Sequence, residues 1–545
     1  MYFRLLLVQV CLVVAHARDL THMRRTSSIS SSVSTYTVPN SYSLSSTFSL
    51  SVDSSSVPVL EFIDYDYAHY SLAAGGQSTT VAVTVTEPVL SWAISPSSLS
   101  IDATISTDRR TLVFPLTGSN YIIVKINGLR ELVILADPAD HYADSFGSAA
   151  VILDVTDSPY SADSTGSALA TAALQSALDD AALAATSNGR SGNAVVVVPA
   201  GLYTIGAITL PHRTTLYVSG GAYLRASTDI SDHRIAFYKE GIPIVEWIRT
   251  ETYSAEIKIV GRGTLDGRAS DTLAASAPFK VMILQPIAVT DFTFDGLLLR
   301  ESGFWAMTPT MITNAVISNF KVVNNLTMAE NDGIDIMHSY NVTLKHALVV
   351  SGDDAYSLKT WNRHTDIAKS WPTDLFVPNH AIEITDTVAW TGCIGWKIGY
   401  GTYLPIFNVQ VRNSTLYQGA IAVGIDSKQS SYDSYVFNIT YENIVVEQIF
   451  IGHDLEYGGW LSLITRKSTS GVAPVSDISV RNIDVRDLGG YPAYIYGYNE
   501  TIQISAVTLD AIKLPSSFSW LGVLAETLEQ LLLKRQFTAD ITLFK

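Results

Sequence analysis

Two acidic clusters, Asn331-Asp332-Gly333-Ile334-Asp335 and Ser351-Gly352-Asp353-Asp354-Ala355, stand about 20 residues apart. If that distance is one turn of a solenoid, equivalent positions fall side by side at the inter-strand spacing of about 4.8 Å, and carboxylates distant in sequence become neighbours. Crowded carboxyls suit one chemistry above others. Repulsion raises the proton affinity of one group while its neighbours stay ionised, which gives a proton donor beside a water-activating carboxylate, the pair that cleavage of a glycosidic bond requires. Adjacent acids on a strand point to opposite faces, so Asp353 and Asp354 reach one cleft only if the chain bends, and Gly352 suits such a bend. Asp and Gly are also ordinary turn residues, and either cluster alone reads equally well that way. The two together, one repeat apart, point to catalysis.

The surrounding elements must position these acids. From Val195-Val196-Val197-Val198 onward the chain is strand and turn, in continuous apolar runs suited to strands buried on their inner face. A motif recurs in which a short alternating strand carries Asn or Asp near its start. Corresponding stretches begin near Phe292, Ala315, Val342, Ile382, Val409, Ile439 and Ile478, roughly 23 to 40 residues apart. This predicts an all-β chain built on a parallel β-helix over 191–518, with loops inserted at Trp361 to Pro378 and Gly452 to Pro474. Neither the antiparallel blades of a propeller nor the Leu spacing of leucine-rich repeats is visible. Upstream, β-branched runs such as Thr80 to Thr86 and Thr111 to Leu116, punctuated by Ser95-Pro96-Ser97 and Thr117-Gly118-Ser119, predict a small β-sandwich over 57–145. The connecting segment 146–190 holds an Ala- and Leu-rich stretch, Ser167 to Ala185, that predicts one helix. Residues 18–56 read as a flexible Ser/Thr-rich leader, and 519–545 as a helix, over Trp520 to Lys534, that caps the last rung, followed by a tail.

The 545 residues, 47% hydrophobic and 16% charged, are ample for a large core. A net charge of −16 with no basic block argues against nucleic acid. Residues 1–17 read as a signal peptide: Arg4, the apolar run Leu5 to Val14, then Ala15-His16-Ala17. The run is too short for a membrane span and no later stretch of about 20 apolar residues follows, so a secreted protein with no membrane partner is expected. Cleavage would remove Cys11 and leave Cys393 alone, without an intramolecular disulfide. Sequons at Asn325, Asn341, Asn413, Asn438 and Asn499 permit glycosylation.

The spacing from Asp332 to Asp353-Asp354 resembles that of family 28 glycoside hydrolases, the polygalacturonase group, in which an Asn-Thr-Asp motif precedes an Asp-Asp pair. Val196 to Leu224, Gly261-Arg262-Gly263-Thr264-Leu265-Asp266-Gly267 and Ser302-Gly303-Phe304-Trp305 extend the resemblance over about residues 190 to 510. It implies a right-handed parallel β-helix and an inverting reaction in which Asp353 donates the proton while Asp332 and Asp354 hold and activate water. Asp335 matches a further acidic position, with a structural role. The sequence also departs from the pattern. The Gly-His-Gly motif falls opposite Gly392-Cys393-Ile394-Gly395-Trp396-Lys397, without histidine. The Arg-Ile-Lys motif falls opposite Gly424-Ile425-Asp426, where an acid in place of cations should repel a uronate carboxylate. Glu330 in place of the motif's Asn acts in the same direction. A sandwich ahead of a β-helix is similar to family 49, the dextranase and isopullulanase group, so a neutral glycan such as an α-glucan is a candidate substrate and simple polygalacturonate is disfavoured.

Trp305, Tyr356, Trp361, Trp396, Tyr400 and Tyr403 fall near the acids in sequence, and sugar rings stack on such side chains. Glu330, Asn331, Tyr356, Lys359, Trp361, Trp396, Lys397 and Asp426 are the substrate-binding candidates, with core packing as the alternative for the aromatics and neutralisation of the aspartates as the alternative for the lysines. His338 and His346 lack the spacing of a metal site, so neither metal nor cofactor is expected. The expected partner is a polysaccharide or oligosaccharide, bound by a monomer. A polysaccharide lyase or a non-catalytic glycan-binding solenoid are the competing functions. The lyase is disfavoured because the acidic trio lacks accompanying arginines.

Overall fold

The computed structural model describes residues 32–544 apart from 74, 143–145, 147–150, 188–193, 451–457, 468–469, 517–518, 525–530 and 532. The expected signal peptide over 1–17 and residues 18–31 of the expected Ser/Thr-rich leader lie outside the described residues.

The apolar columns of the sequence become the solenoid. Phe292, Ala315, Val342, Ile382, Val409, Ile439 and Ile478 pair in one unbroken parallel register, continued at one end by Ile257 and at the other by Val507 and Ile541. All but the last are buried in a core that runs the length of the coil. The residue before each is in the left-handed region: Glu256, Asp291, Asn314, Asn341, Asn408, Asn438, Asp477 and Asp540, with alanine at Ala381 and Ala506. Asn tolerates that conformation better than most residues, which is why Asn and Asp mark the repeat. The amides then ladder between rungs: Asn341 Nδ2 donates to Asn314 Oδ1 at 2.7 Å and Asn438 Nδ2 to Asn408 Oδ1 at 2.6 Å. In a second column Asn413 Oδ1 accepts from Asn443 Nδ2 at 3.1 Å. Three of the five sequons thus fall at turn positions that the fold itself favours for Asn.

One 19-stranded sheet carries this ladder, and a second parallel sheet runs through Ile334–Met337, Tyr356–Thr360, Ile394–Thr402, Ile421–Ser430 and Gly459–Thr465. The helix is Thr171–Ser187, whose Leu174, Ala177, Leu178 and Ala181 seal the N-terminal end of the core. The C-terminal expectation of a helix over Trp520 to Lys534 is corrected at both its ends, while residues 525–530 and 532 of it lie outside the described residues. Ser519–Leu524, Leu533–Gln536 and Thr538–Phe544 are strands, the last two adding a further rung. Rung-to-rung hydrogen bonds on an open coil end outweigh the amphipathic pattern that suggested a helix.

The leader is also corrected. Val33–Thr35, Phe48–Val52 and Ser55–Val57 are strands of the sandwich, and Phe48, Leu50 and Val52 lie in its core. Their alternation, apolar inward and Ser outward, was diluted by the surrounding Ser and Thr. The sandwich consists of a six-stranded and a five-stranded sheet. Strands Asp66–Leu72 and Leu132–Asp137 are buried on both faces, one toward the sandwich core and the other toward the solenoid. Phe62, Tyr65, Tyr67 and Leu135 pack there against Leu348, Val350, Val388 and Trp390. A buried ion cluster joins the same interface: Lys321 Nζ lies 2.7 and 2.6 Å from the two oxygens of Asp137, which also receives His69 Nε2 at 2.6 Å.

Candidate active site

The two acidic clusters meet. Gly333 N donates to Asp354 O at 2.9 Å and Ile334 N to Ala355 O at 3.1 Å, so Asp332 sits one rung from the acid pair. Asp353 and Asp354 occupy the corner between Tyr340–Ser351 and Tyr356–Thr360 instead of a strand, which frees both from strict alternation. Gly352 serves by close approach: a Cβ there would lie 2.2 Å from Met328 O. Asn331 is buried and its Oδ1 accepts from Gly352 N at 2.8 Å and Asp353 N at 3.2 Å. Asp353 Oδ2 accepts from Glu330 N at 3.0 Å and its Oδ1 from Asp354 N at 2.9 Å.

Two lysines divide the trio. Lys359 Nζ lies 2.7 Å from Asp332 Oδ2 and 2.5 Å from Asp335 Oδ1, and Lys397 Nζ lies 2.6 Å from Asp354 Oδ2. All of these side chains are buried. Among the described residues no ion pair forms on Asp353, the most exposed member of the trio. Burial weakens the charge of Lys359, but Asp332, Asp335 and Asp354 more than restore it. Two buried carboxyls share that one ammonium. Burial and then Asp335 push Asp332 well above the usual carboxylate range, while burial holds Asp335 at about 6 against the pull of Lys359. Each ammonium is also capped by a ring, Lys359 by Trp305 at 4.2 Å and Lys397 by Tyr400 at 3.7 Å.

The substrate-binding candidates separate by exposure. Tyr356 and Trp396 are corrected: they stack on each other inside the coil, 6.0 Å apart and 4° from parallel, because their column faces inward. Their polar atoms are satisfied there, Tyr356 by Val388 O and Trp396 by Thr387 Oγ1. Lys359, Lys397 and Asn331 lie beneath the acids and support them. Asp426 is also buried, 2.9 Å from Arg466. Glu330 and Trp361 remain at the rim, Trp361 stacked on Trp305 at 6.4 Å. His338 fixes Trp361: its Nε2 accepts from Trp361 N at 2.8 Å and its Nδ1 donates to Val377 O at 3.0 Å, clasping both ends of the inserted loop.

The sequence reading missed four cations. Lys239, from the hairpin Arg234–Lys239 and Ile242–Thr250, and Lys280 both reach Glu330, the latter at 2.8 Å. Lys428 lies 5.0 Å from the Tyr400 ring, and Arg466 follows the strand Gly459–Thr465. Lys428 lies two residues from Asp426 on one strand and so could have been read locally, whereas Lys239 and Lys280 lie at least 50 residues from Glu330 and Arg466 belongs to another rung. Asp353, Asp354 and Cys393 bring a ligand atom each within 4.8 Å of one another. Burial pushes the Cys393 thiol well up and so holds it protonated, a poor metal ligand.

Comparison with known proteins bears on the fold and the family. A probable polygalacturonase of Vitis vinifera is 26% identical over 219 residues, 37% of this chain and 44% of the relative, so this chain spans under half of that protein. Among solved structures, Dex49A from Penicillium minioluteum superposes with a TM-score of 0.56 at 12% identity, over 93% of this chain and 96% of that one. A family 28 exopolygalacturonase of Yersinia enterocolitica gives 0.51 at 13% identity, over 86% and 97%. These likenesses establish the right-handed parallel β-helix. The family model described as glycosyl hydrolases family 28 matches residues 190–520, and the chain belongs to that family.

Proposed function

We propose that the protein is a polysaccharide hydrolase that cleaves a glycosidic bond by single displacement with inversion, with Asp353 as proton donor and Asp332 and Asp354 as the groups that hold and activate water. The pairing of the lysines carries this reading. Asp332 and Asp354 are each anchored on a buried ammonium, whereas Asp353, the most exposed of the three and with no cation bonded to it among the described residues, is the member placed to reach the leaving oxygen. Lysine beneath the acids also argues against a lyase, which needs a base beside the sugar and not under the carboxylates.

The substrate we propose is an acidic polysaccharide. Asp426 in place of a cation gave reason to expect repulsion of uronates, but Arg466 neutralises it and Lys428 stands alongside. On the other flank Lys239 and Lys280 share the single carboxylate of Glu330. Among the described residues cations thus stand beside the acids on both flanks, and Lys239 is 45% exposed. The order of Arg4, the apolar run Leu5 to Val14 and Ala15-His16-Ala17 supports export.

Purified protein assayed for reducing ends on polygalacturonate, on neutral dextran and on pullulan tests the reading. Turnover of the acidic polymer alone is expected, and turnover of dextran alone would replace it with the neutral-glycan reading. Unsaturated products absorbing in the ultraviolet would replace hydrolysis with elimination.

A further inference from the structure

The sandwich domain stands apart from the acidic trio in sequence, yet two of its residues touch the segment that holds Asp353. Asp64 Oδ2 accepts from Leu326 N at 2.8 Å, and Tyr65 OH donates to Asn324 O at 3.0 Å. Tyr65 is fully buried and fixed by its neighbours, with Phe62 and Trp390 each 5.2 Å from its ring. The contacts continue inward. Asn324 Nδ2 donates to Asn331 O at 2.8 Å, and Asn331 Nδ2 returns to Asn325 O at 2.7 Å. Asn331 Oδ1 then receives the amides of Gly352 and Asp353, while the amide of Glu330 holds the Asp353 carboxylate. The 324–331 segment and its hydrogen bonds thus link the sandwich to the acid, beside the path from Tyr65 through Trp390 to Thr391, whose Oγ1 donates to Asp353 O at 2.5 Å.

We infer that Asp64 and Tyr65 are positioning residues, through which the sandwich fixes the 324–331 segment and thereby the orientation of the Asp353 carboxyl. The segment needs such a tether. It lies outside regular strands from Asn324 to Gly333, with rung-to-rung backbone hydrogen bonds at Asn324, Asp332 and Gly333, and a stretch held at its ends opens more readily than a strand bonded along its length. A proton donor must lie within hydrogen-bond reach of the leaving oxygen, so a small displacement lowers turnover without weakening substrate binding.

The inference rests on the hydrolase reading for its kinetic test but not for its structural one. The variant Asp64→Ala, combined with Tyr65→Phe, should lower kcat about tenfold with KM within about twofold of the parent. Asp64→Asn keeps an acceptor for Leu326 N and should restore most of the rate. Tyr42→Phe is the control, because it loses a different contact between sandwich and solenoid, the 2.8 Å hydrogen bond to Asp266. It should leave kcat unchanged. Hydrogen exchange of 324–333 should accelerate in the double variant and not in the control. Unchanged exchange there, or equal effects of the double variant and the control, would overturn the tether. Absence of turnover in the parent protein would overturn the hydrolase reading alone, and exchange would still decide the tether.

Discussion

Lys397 Nζ lies 2.6 Å from Asp354 Oδ2, with both side chains sealed from solvent. Removing one partner of a buried pair strands the other as an uncompensated charge. Lys397→Met should therefore destabilise the protein by about 3 kcal/mol or more, and Asp354→Asn in the same chain should recover part of that loss. Urea unfolding of the parent, single and double variants measures both. A cost under about 1 kcal/mol would mean that Asp354 does not depend on Lys397.

Asp353→Asn keeps an acceptor for the Glu330 amide but cannot donate a proton. Turnover should fall by about 10²-fold or more while the unfolding midpoint stays near that of the parent. Retained activity would remove Asp353 from the mechanism.

Asp332 and Asp335 crowd one lysine, and each has its proton affinity raised. A base must be ionised, so the acid limb of kcat/KM should lie above the ordinary carboxylate range. Asp335→Asn deletes the strongest like charge acting on Asp332 and should move that limb to lower pH. A limb that stays in place would show that another group controls it.

His338 must be neutral to accept from the Trp361 amide, and burial holds its pKa down to about 4. The folded state then binds fewer protons than the unfolded chain between about 6.5 and 4, so this contribution is present above 6.5 and is lost as pH falls through that window. Its full size is roughly 3 kcal/mol. His338→Gln retains an acceptor and a donor without titrating, so the stability difference between parent and variant should shrink or reverse on going from pH 7 to pH 4. Denaturant unfolding at the two pH values reads it, and a difference independent of pH would mean that His338 titrates normally in the fold.

Lys239→Ala should raise KM for an acidic polysaccharide several-fold with little change in kcat, since it removes the exposed cation of one flank and leaves the acids in place. The effect should fade as salt rises. An equal loss on a neutral polymer would assign Lys239 to the structure of the rim.

Much of this molecule is written locally. Period-two strands with Asn or Asp at their starts announced the coil, and the seven starts read from the sequence fall into one register because a left-handed turn residue must precede each inward apolar side chain. One-turn spacing likewise brought Asp332 beside Asp353 and Asp354. Orientation was not local. Whether Tyr356 and Trp396 face the cleft or the core depends on the parity of a strand whose corner geometry the sequence leaves open, and they face the core. Nor could the chain order reveal that Lys239 comes from a hairpin to Glu330 and Arg466 from another rung to Asp426, or that Tyr65 in the sandwich reaches Asn324. The sequence by itself determined the coil, its repeat and the acids, since these follow from side-chain period and spacing along one chain. Which cations attend the acids and what holds their loop in place were decided by packing between segments far apart in sequence, a property of the tertiary structure.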